Sequence, residues 1–134
     1  MAKHHEGLIY TMVLVSASDR EMTDKELMAI GEIVRNLPVF RDFDEEELPD
    51  VTRACAEMLN DEEGLDDALD FIRDTLPAKL RETAYAIACD IVAADGEASQ
   101  EELRLLEMIR RRLDVDRLTA AAIERGARAR HMTV

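Results

Sequence analysis

Apolar residues recur at spacings of three and four along most of the chain, and this periodicity constrains the fold more than any other feature. Residues at those spacings share one face of an α-helix, whereas a strand needs alternation with a period of two, which no long stretch shows. The pattern predicts an all-α fold, a compact bundle of about seven helices. The clearest stripes are Leu27, Ile30, Val34 and Leu37, and further along Leu103, Leu106, Ile109 and Leu113.

Turn and capping residues set the helix boundaries that this pattern predicts. Pro49 suits the first turn of a third helix that begins near Leu48, although Asp44 offers an earlier cap. Small residues along the fifth helix favour close packing, so we expect that helix at the centre of the bundle, and we expect Leu118 of the seventh helix to face inward. The expected ranges are about 7–18, 24–36, 64–76, 77–94, 100–113 and 116–130, with the third helix beginning near Leu48.

The 134 residues are 47% hydrophobic, which is enough for one core, and we assign a single domain at 1–134. No apolar run reaches about 18 residues, and the first residues lack a signal-peptide cleavage site. We therefore expect a cytoplasmic protein with no direct membrane insertion. Cys55 and Cys89 lie within helical apolar patterns and lack CxxC spacing, so we expect buried, reduced thiols rather than a metal or redox site.

The net charge of −13 repels phosphate backbones, which argues against a nucleic-acid ligand and favours cations or basic partners. Residues 1–103 carry −17 and residues 104–134 carry +4, so the chain is electrically polarised. The run from Arg110 to Arg112 suits either an anionic partner or salt bridges to the acidic body. We favour the salt bridges, because arginines late in a helix also compensate the helix dipole.

The chain contains an internal duplication. A shift of 76 residues places 19–27 over 95–103, and the two segments share the pattern D-x-E-x-[ST]-x-x-E-L. Each copy joins the end of one helix to the start of the next. The pattern therefore predicts two repeat halves, at about 7–60 and about 77–130, joined by a helix at about 64–76.

The shared motif has a structural and a chemical interpretation. The Thr or Ser followed three residues later by Glu predicts a capping box at each helix start. Capping does not explain the acidic residues that precede it in both copies, and carboxylate oxygens are the ligands that hard divalent cations prefer. The spacing departs from an EF-hand, and Arg20 stands where the second copy has Gly96, which argues against two symmetric sites. The candidate ligands are Asp19, Glu26, Asp95 and Glu102, with Glu21 and Glu97 as additions.

Residues 85–102, with A-D-G before a capped helix, resemble the signature of the TerB-like (tellurite resistance protein TerB) family, and residues 19–26 resemble a degenerate second copy. The resemblance implies a seven-helix bundle, association with bacterial tellurite and other stress resistance, and an acidic patch that falls on the four candidate ligands. It also implies a protein partner, including a membrane-associated resistance complex, and no catalytic role.

Three functions remain open at this stage. The first is a non-enzymatic interaction module of a stress-resistance system, and the second is a divalent-cation binder or sensor. A metal-dependent hydrolase is the least favoured, because the sequence has no G-x-S-x-G, no phosphate-cradling glycine loop and no H-E-x-x-H. His4, His5 and His131 lie near the termini, where we expect disorder rather than a histidine-carboxylate site.

Overall fold

The computed structural model describes residues 3–17, 24–94, 96 and 98–134, and this part of the chain is helical with no β-strand. The all-α prediction is confirmed. Three short 3₁₀ turns interrupt the connections, at Pro38–Phe40, Glu45–Glu47 and Ala78–Leu80. The seven α-helices of the described ranges are α1 (His4–Ser16), α2 (Asp24–Asn36), α3 (Leu48–Leu59), α4 (Gly64–Thr75), α5 (Arg81–Ala94), α6 (Gln100–Arg112) and α7 (Arg117–Arg130).

Side-chain caps mark the starts of α6 and α7, and a proline in the first turn marks the start of α3. The α3 helix begins at Leu48 with Pro49 in its first turn, while Asp44 caps the separate 3₁₀ turn before it by accepting from the Glu46 N–H at 3.0 Å. The third helix therefore starts where Pro49 predicted, and the Asp44 cap belongs to the separate 3₁₀ turn rather than to an earlier start of α3. Asp116 caps α7 by accepting from the Thr119 N–H at 2.9 Å. The fifth helix starts four residues after Pro77, because a 3₁₀ turn comes first.

The first helix begins earlier than predicted, at His4 rather than Gly7. His5 is buried, with its Nε2 donating to the Val39 carbonyl at 2.9 Å and its ring stacked on Phe40. The expectation that these N-terminal histidines are disordered was wrong. Sequence reasoning missed this burial because the partners of His5, Val39 and Phe40, are more than thirty residues away in the chain.

Two helices lie at the centre of the bundle. The α5 helix packs against α1, α2, α6 and α7, as its small residues predicted, and α1 packs against α3, α4, α5 and α6. Every residue of α1 from Gly7 to Ser16 is buried, so this helix is enclosed on all sides. The division into repeat halves at about 7–60 and 77–130 stays a prediction.

The core is formed mainly by aliphatic side chains and includes both cysteines, which are free and buried. Burial raises the pKa of the Cys55 and Cys89 thiols to about 12, so neither is ionised at neutral pH. The prediction of buried, free thiols is confirmed. None of the helices in the described ranges is both long enough and apolar enough to cross a bilayer.

Candidate functional site

The structure describes two of the four carboxylates that the duplicated motif singles out. Glu26 is 5% exposed and Glu102 is 3% exposed, and each lies in the first turn of its helix, α2 and α6. Glutamates are rarely buried to this degree unless they are paired. Both copies of the motif therefore bury their final glutamate. Asp19, Glu21, Asp95 and Glu97 lie outside the described residues.

The second copy forms the predicted capping box. The Glu102 N–H donates to the Ser99 hydroxyl at 3.1 Å, and the Ser99 N–H donates to the Glu102 carboxylate at 2.9 Å. Gly96 has a φ of +89°, the left-handed conformation that its place in the turn predicted. The equivalent box of the first copy would involve Thr23, which is outside the described part of the chain.

In both copies of the motif, the final glutamate is buried and the leucine after it is exposed, which is the opposite of what their hydropathy predicts. Leu27 is 45% exposed and Leu103 is 49% exposed, although the apolar stripes predicted both as inward-facing. The glutamate before each leucine occupies the buried position, and neighbouring residues on a helix point about 100° apart. Leu118 was also predicted inward and is 83% exposed. It is the second residue of α7.

A metal centre is not assembled by the residues that the structure describes. Among them, no group of three or more His, Cys, Asp or Glu side chains is placed to hold a metal ion. Glu26 and Glu102 are the two described members of the predicted ligand set, and its remaining members are not among the described residues. The cation site therefore stays a hypothesis about the junctions that precede α2 and α6.

The most highly charged surface was not singled out by the motif. Residues 42–74, which we call the acidic face, contain fourteen acidic side chains and two arginines, a net charge of −12 out of −13 for the chain. All of these charged side chains are exposed except Asp70, which is half-buried. They lie on α3, α4 and the segments before each helix. Summing the charge over successive stretches of the sequence reveals this face, whereas comparison of the two motif copies does not.

Ion pairs neutralise only part of the acidic face. Arg35 pairs with Glu45 at 2.8 Å, and Arg112 of α6 pairs with Asp70 at 2.5 Å. Ion pairs engage five of the fourteen carboxylates, so most of the negative charge of the acidic face has no counterion among the described residues. Several carboxylates form no ion pair with any described residue: Asp42, Asp44, Glu46, Glu47, Glu57, Asp61, Glu62, Glu63 and Asp67.

The arginines at the end of α6 follow the favoured interpretation. Arg112 joins α6 to α4 through Asp70, while Arg110 and Arg111 both pair with Glu107, at 2.7 and 2.9 Å. These hydrogen bonds lower the pKa of Glu107 to about 2. Salt bridges therefore engage the run from Arg110 to Arg112, at the helix end where the dipole favours positive charge.

An apolar groove of about 620 Å³ lies between α5, α6 and α7. Tyr85 and Cys89 form part of its wall, and the Tyr85 hydroxyl donates to the Glu124 carboxylate at 2.6 Å. The half-exposed Leu103 borders it. Sequence reasoning missed this groove because it assigned Leu103 and the α5 stripe wholly to the core.

The chain matches the model of a known protein family. The model described as "Tellurite resistance protein TerB" matches residues 5–125. Neither a curated protein nor a solved structure matches the chain. The match spans α1 to α6 and most of α7, and it includes both copies of the acidic motif. The chain belongs to the TerB family.

Proposed function

We propose that this chain is a non-enzymatic interaction module of a tellurite or stress-resistance system, and that its acidic face binds a basic protein partner. Membership of the TerB family supports the module. The observation that carries the proposal is the concentration of a net charge of −12 in residues 42–74, on an exposed surface with few internal counterions.

A surface of this kind has defined physical consequences for binding. Complementary charge accelerates encounter with a basic partner and excludes acidic ones, and both effects weaken as salt screens the field. The same surface repels nucleic acids and anionic membranes. A cytoplasmic setting fits the two free, buried cysteines, because thiols stay reduced there.

The test is partner capture from the native host grown under tellurite or another oxyanion stress. We expect the wild-type chain to retain a basic protein whose binding weakens with added salt. A variant with Glu57→Lys, Asp61→Lys and Glu62→Lys reverses three exposed charges of the acidic face and should lose that partner.

The matched control reverses three exposed glutamates outside the acidic face. The control variant carries Glu32→Lys, Glu82→Lys and Glu101→Lys, so its net charge changes by the same amount. It should keep the partner if the location of the charge matters. Equal loss in both variants, or a partner that the acidic-face variant still binds, would contradict the proposal.

Divalent-cation binding is a second candidate, favoured by the burial of Glu26 and Glu102 at corresponding positions of the two motif copies. The cation would be held by these glutamates together with Asp19 and Asp95, and Glu21 and Glu97 are further oxygen ligands close by in sequence. This set is hard in character, so Ca²⁺, Mg²⁺ and Mn²⁺ fit it better than soft metals.

Calorimetry with Ca²⁺, Mg²⁺, Mn²⁺ and Zn²⁺ tests this second candidate. Binding should disappear in an Asp95→Asn variant and persist in Asp67→Asn, which removes one exposed carboxylate of the acidic face instead. No heat above that of buffer at millimolar metal, or equal binding by both variants, would remove the candidate.

A further inference from the structure

A cavity of about 450 Å³ opens between the start of α1 and residues 42–54, at the edge of the acidic face. Its wall combines aromatic and aliphatic surface with charged side chains at the mouth. We call it the Tyr10 pocket, after the residue that forms its inner wall. It is separate from the duplicated motif and from the groove beside α6.

The side chain of Tyr10 is buried, and its hydroxyl is the polar group that it brings to the pocket. The residue is 6% exposed, and its ring packs against Phe71 of α4 with centroids 4.5 Å apart. Its hydroxyl forms no hydrogen bond with any described residue. The hydroxyl oxygen is also not fully buried. A buried tyrosine normally satisfies its hydroxyl. This hydroxyl is therefore left open towards the cavity that Tyr10 lines.

Three contacts hold the opposite wall in position. His5 donates to the Val39 carbonyl at 2.9 Å and stacks on Phe40, and its ring meets Phe43 edge-on with centroids 5.4 Å apart. These contacts fix the segment after α2 against α1. The cavity is consequently a preformed feature of the packing and not a gap between loose segments.

The mouth of the Tyr10 pocket is negatively charged. Glu6, Asp42 and Glu47 line it and form no ion pair with any described residue, while Asp50 is paired with Arg53 at 3.4 Å. Lys3 is also at the mouth, and its ammonium lies farther than 4 Å from every described carboxylate. The net charge favours a cationic ligand.

We propose that the Tyr10 pocket takes a lysine side chain of the basic partner, with the ammonium donating to the Tyr10 hydroxyl at the inner wall and attracted by the negative charge of the mouth. This inference rests on the proposed function and names the chemistry by which the acidic face recognises its partner. The aliphatic stem of the lysine packs on Phe43 and Val51, which line the same cavity.

Lysine fits this arrangement better than arginine does. The inner wall offers a single phenol oxygen, which suits the compact charge of an ammonium. A guanidinium is a planar fork that is best matched by two parallel acceptors, and the single phenol oxygen of the inner wall engages only one of its donors. Burial, followed by the neighbouring Cys55 and Glu6, raises the pKa of Tyr10, so the hydroxyl stays protonated and neutral as it accepts from the ammonium.

The experiment titrates the full chain with Ac-Gly-Gly-Lys-Gly-Gly-NH₂ and follows backbone amide NMR shifts. We expect shifts at His5, Tyr10 and Phe43, and no comparable shifts with the Nε-acetyl-lysine peptide. The Tyr10→Phe variant keeps the ring and should bind about ten-fold more weakly, as expected for a hydrogen bond to a charged group. Asp61→Asn, on the acidic face but outside the pocket, is the matched control and should bind as the wild type does.

Each alternative result has a defined meaning. Equal binding by Tyr10→Phe, with an unchanged circular dichroism spectrum, overturns the proposal. Stronger binding of the same peptide with arginine in place of lysine also overturns it, as does binding of free spermidine without binding of the lysine peptide. The variant with three lysines in the acidic face should lose the captured protein and still bind the lysine peptide. Failure of the pocket and failure of the partner surface are thus distinguishable.

Discussion

Two glycines in this chain differ in backbone conformation, since Gly96 has a positive φ and Gly126 lies inside a helix. Gly96 has a φ of +89°, and a Cβ built there meets nothing within 4 Å, so the backbone alone resists a side chain. Gly126 lies inside α7, where a Cβ would meet the mobile end of the Arg130 side chain at 3.3 Å. We expect Gly96→Ala to lower the free energy of unfolding by about 1 kcal/mol and Gly126→Ala to raise it by about 0.5–1 kcal/mol.

Urea unfolding followed by circular dichroism measures both changes. Each variant adds one methyl group, so the pair controls for the hydrophobicity of the addition. A stabilising Gly96→Ala would show that the turn before α6 adopts another backbone conformation in solution. A neutral Gly126→Ala would mean that the displaced Arg130 loses a contact of similar value, such as its ion pair with Asp90.

At the scale of elements, the end of α6 makes stability depend on pH. Arg110 and Arg111 lower the pKa of Glu107 from 4.5 to about 2. A carboxylate whose folded pKa is depressed stabilises the fold above its unfolded pKa, and that contribution is lost as the pH falls towards the folded value. We expect Glu107→Gln to unfold at lower urea than the wild type at pH 7. The difference should shrink between pH 4.5 and about 3.

The control for this titration is Asp67→Asn, which removes an exposed carboxylate that has no ion pair with a described residue. Its urea midpoint relative to the wild type should not follow the same course with pH. A Glu107→Gln difference that is constant across the pH range would mean that the ion pairs of Glu107 with Arg110 and Arg111 form too rarely in solution to stabilise α6.

The helices followed from the sequence because their signals are local. Capping residues such as Ser99 and Asp116, together with the apolar spacing, placed six of the seven helix starts within a few residues. The burial of His5 did not follow, since it depends on Val39 and Phe40 of a distant segment. The same holds for the Tyr10 pocket, which combines α1 with residues 42–54.

Only part of the candidate site was within reach of sequence reasoning. The motif located Glu102 and its capping box correctly, and it located Glu26 at a buried position without explaining the burial. The apolar stripe wrongly placed Leu103 inward, since a hydropathy pattern assigns apolar residues to the core. Which of two neighbouring residues is buried depends on the rotation of the helix, and tertiary packing sets that rotation.

At the scale of the whole molecule, like charges are concentrated in one segment of the chain. The acidic face holds −12 of the net −13, so its carboxylates repel one another across α3 and α4. Such repulsion favours the expanded, unfolded chain and is reduced by salt. Glu57 adds a second unfavourable effect, because it lies in the last turn of α3, where the helix dipole disfavours negative charge.

We therefore expect the midpoint of thermal unfolding to rise as NaCl increases from about 20 mM to about 500 mM, which shortens the Debye length from about 20 Å to about 4 Å. The double variant Glu57→Gln, Glu62→Gln should unfold a few degrees higher than the wild type at low salt and should gain less from added NaCl. Glu82→Gln removes a charge from the first turn of α5, where the dipole favours it, and should not raise the midpoint. Calorimetry at both salt concentrations measures all three chains. If the double variant and Glu82→Gln respond alike, net charge alone determines the stability, and the crowding on the acidic face does not.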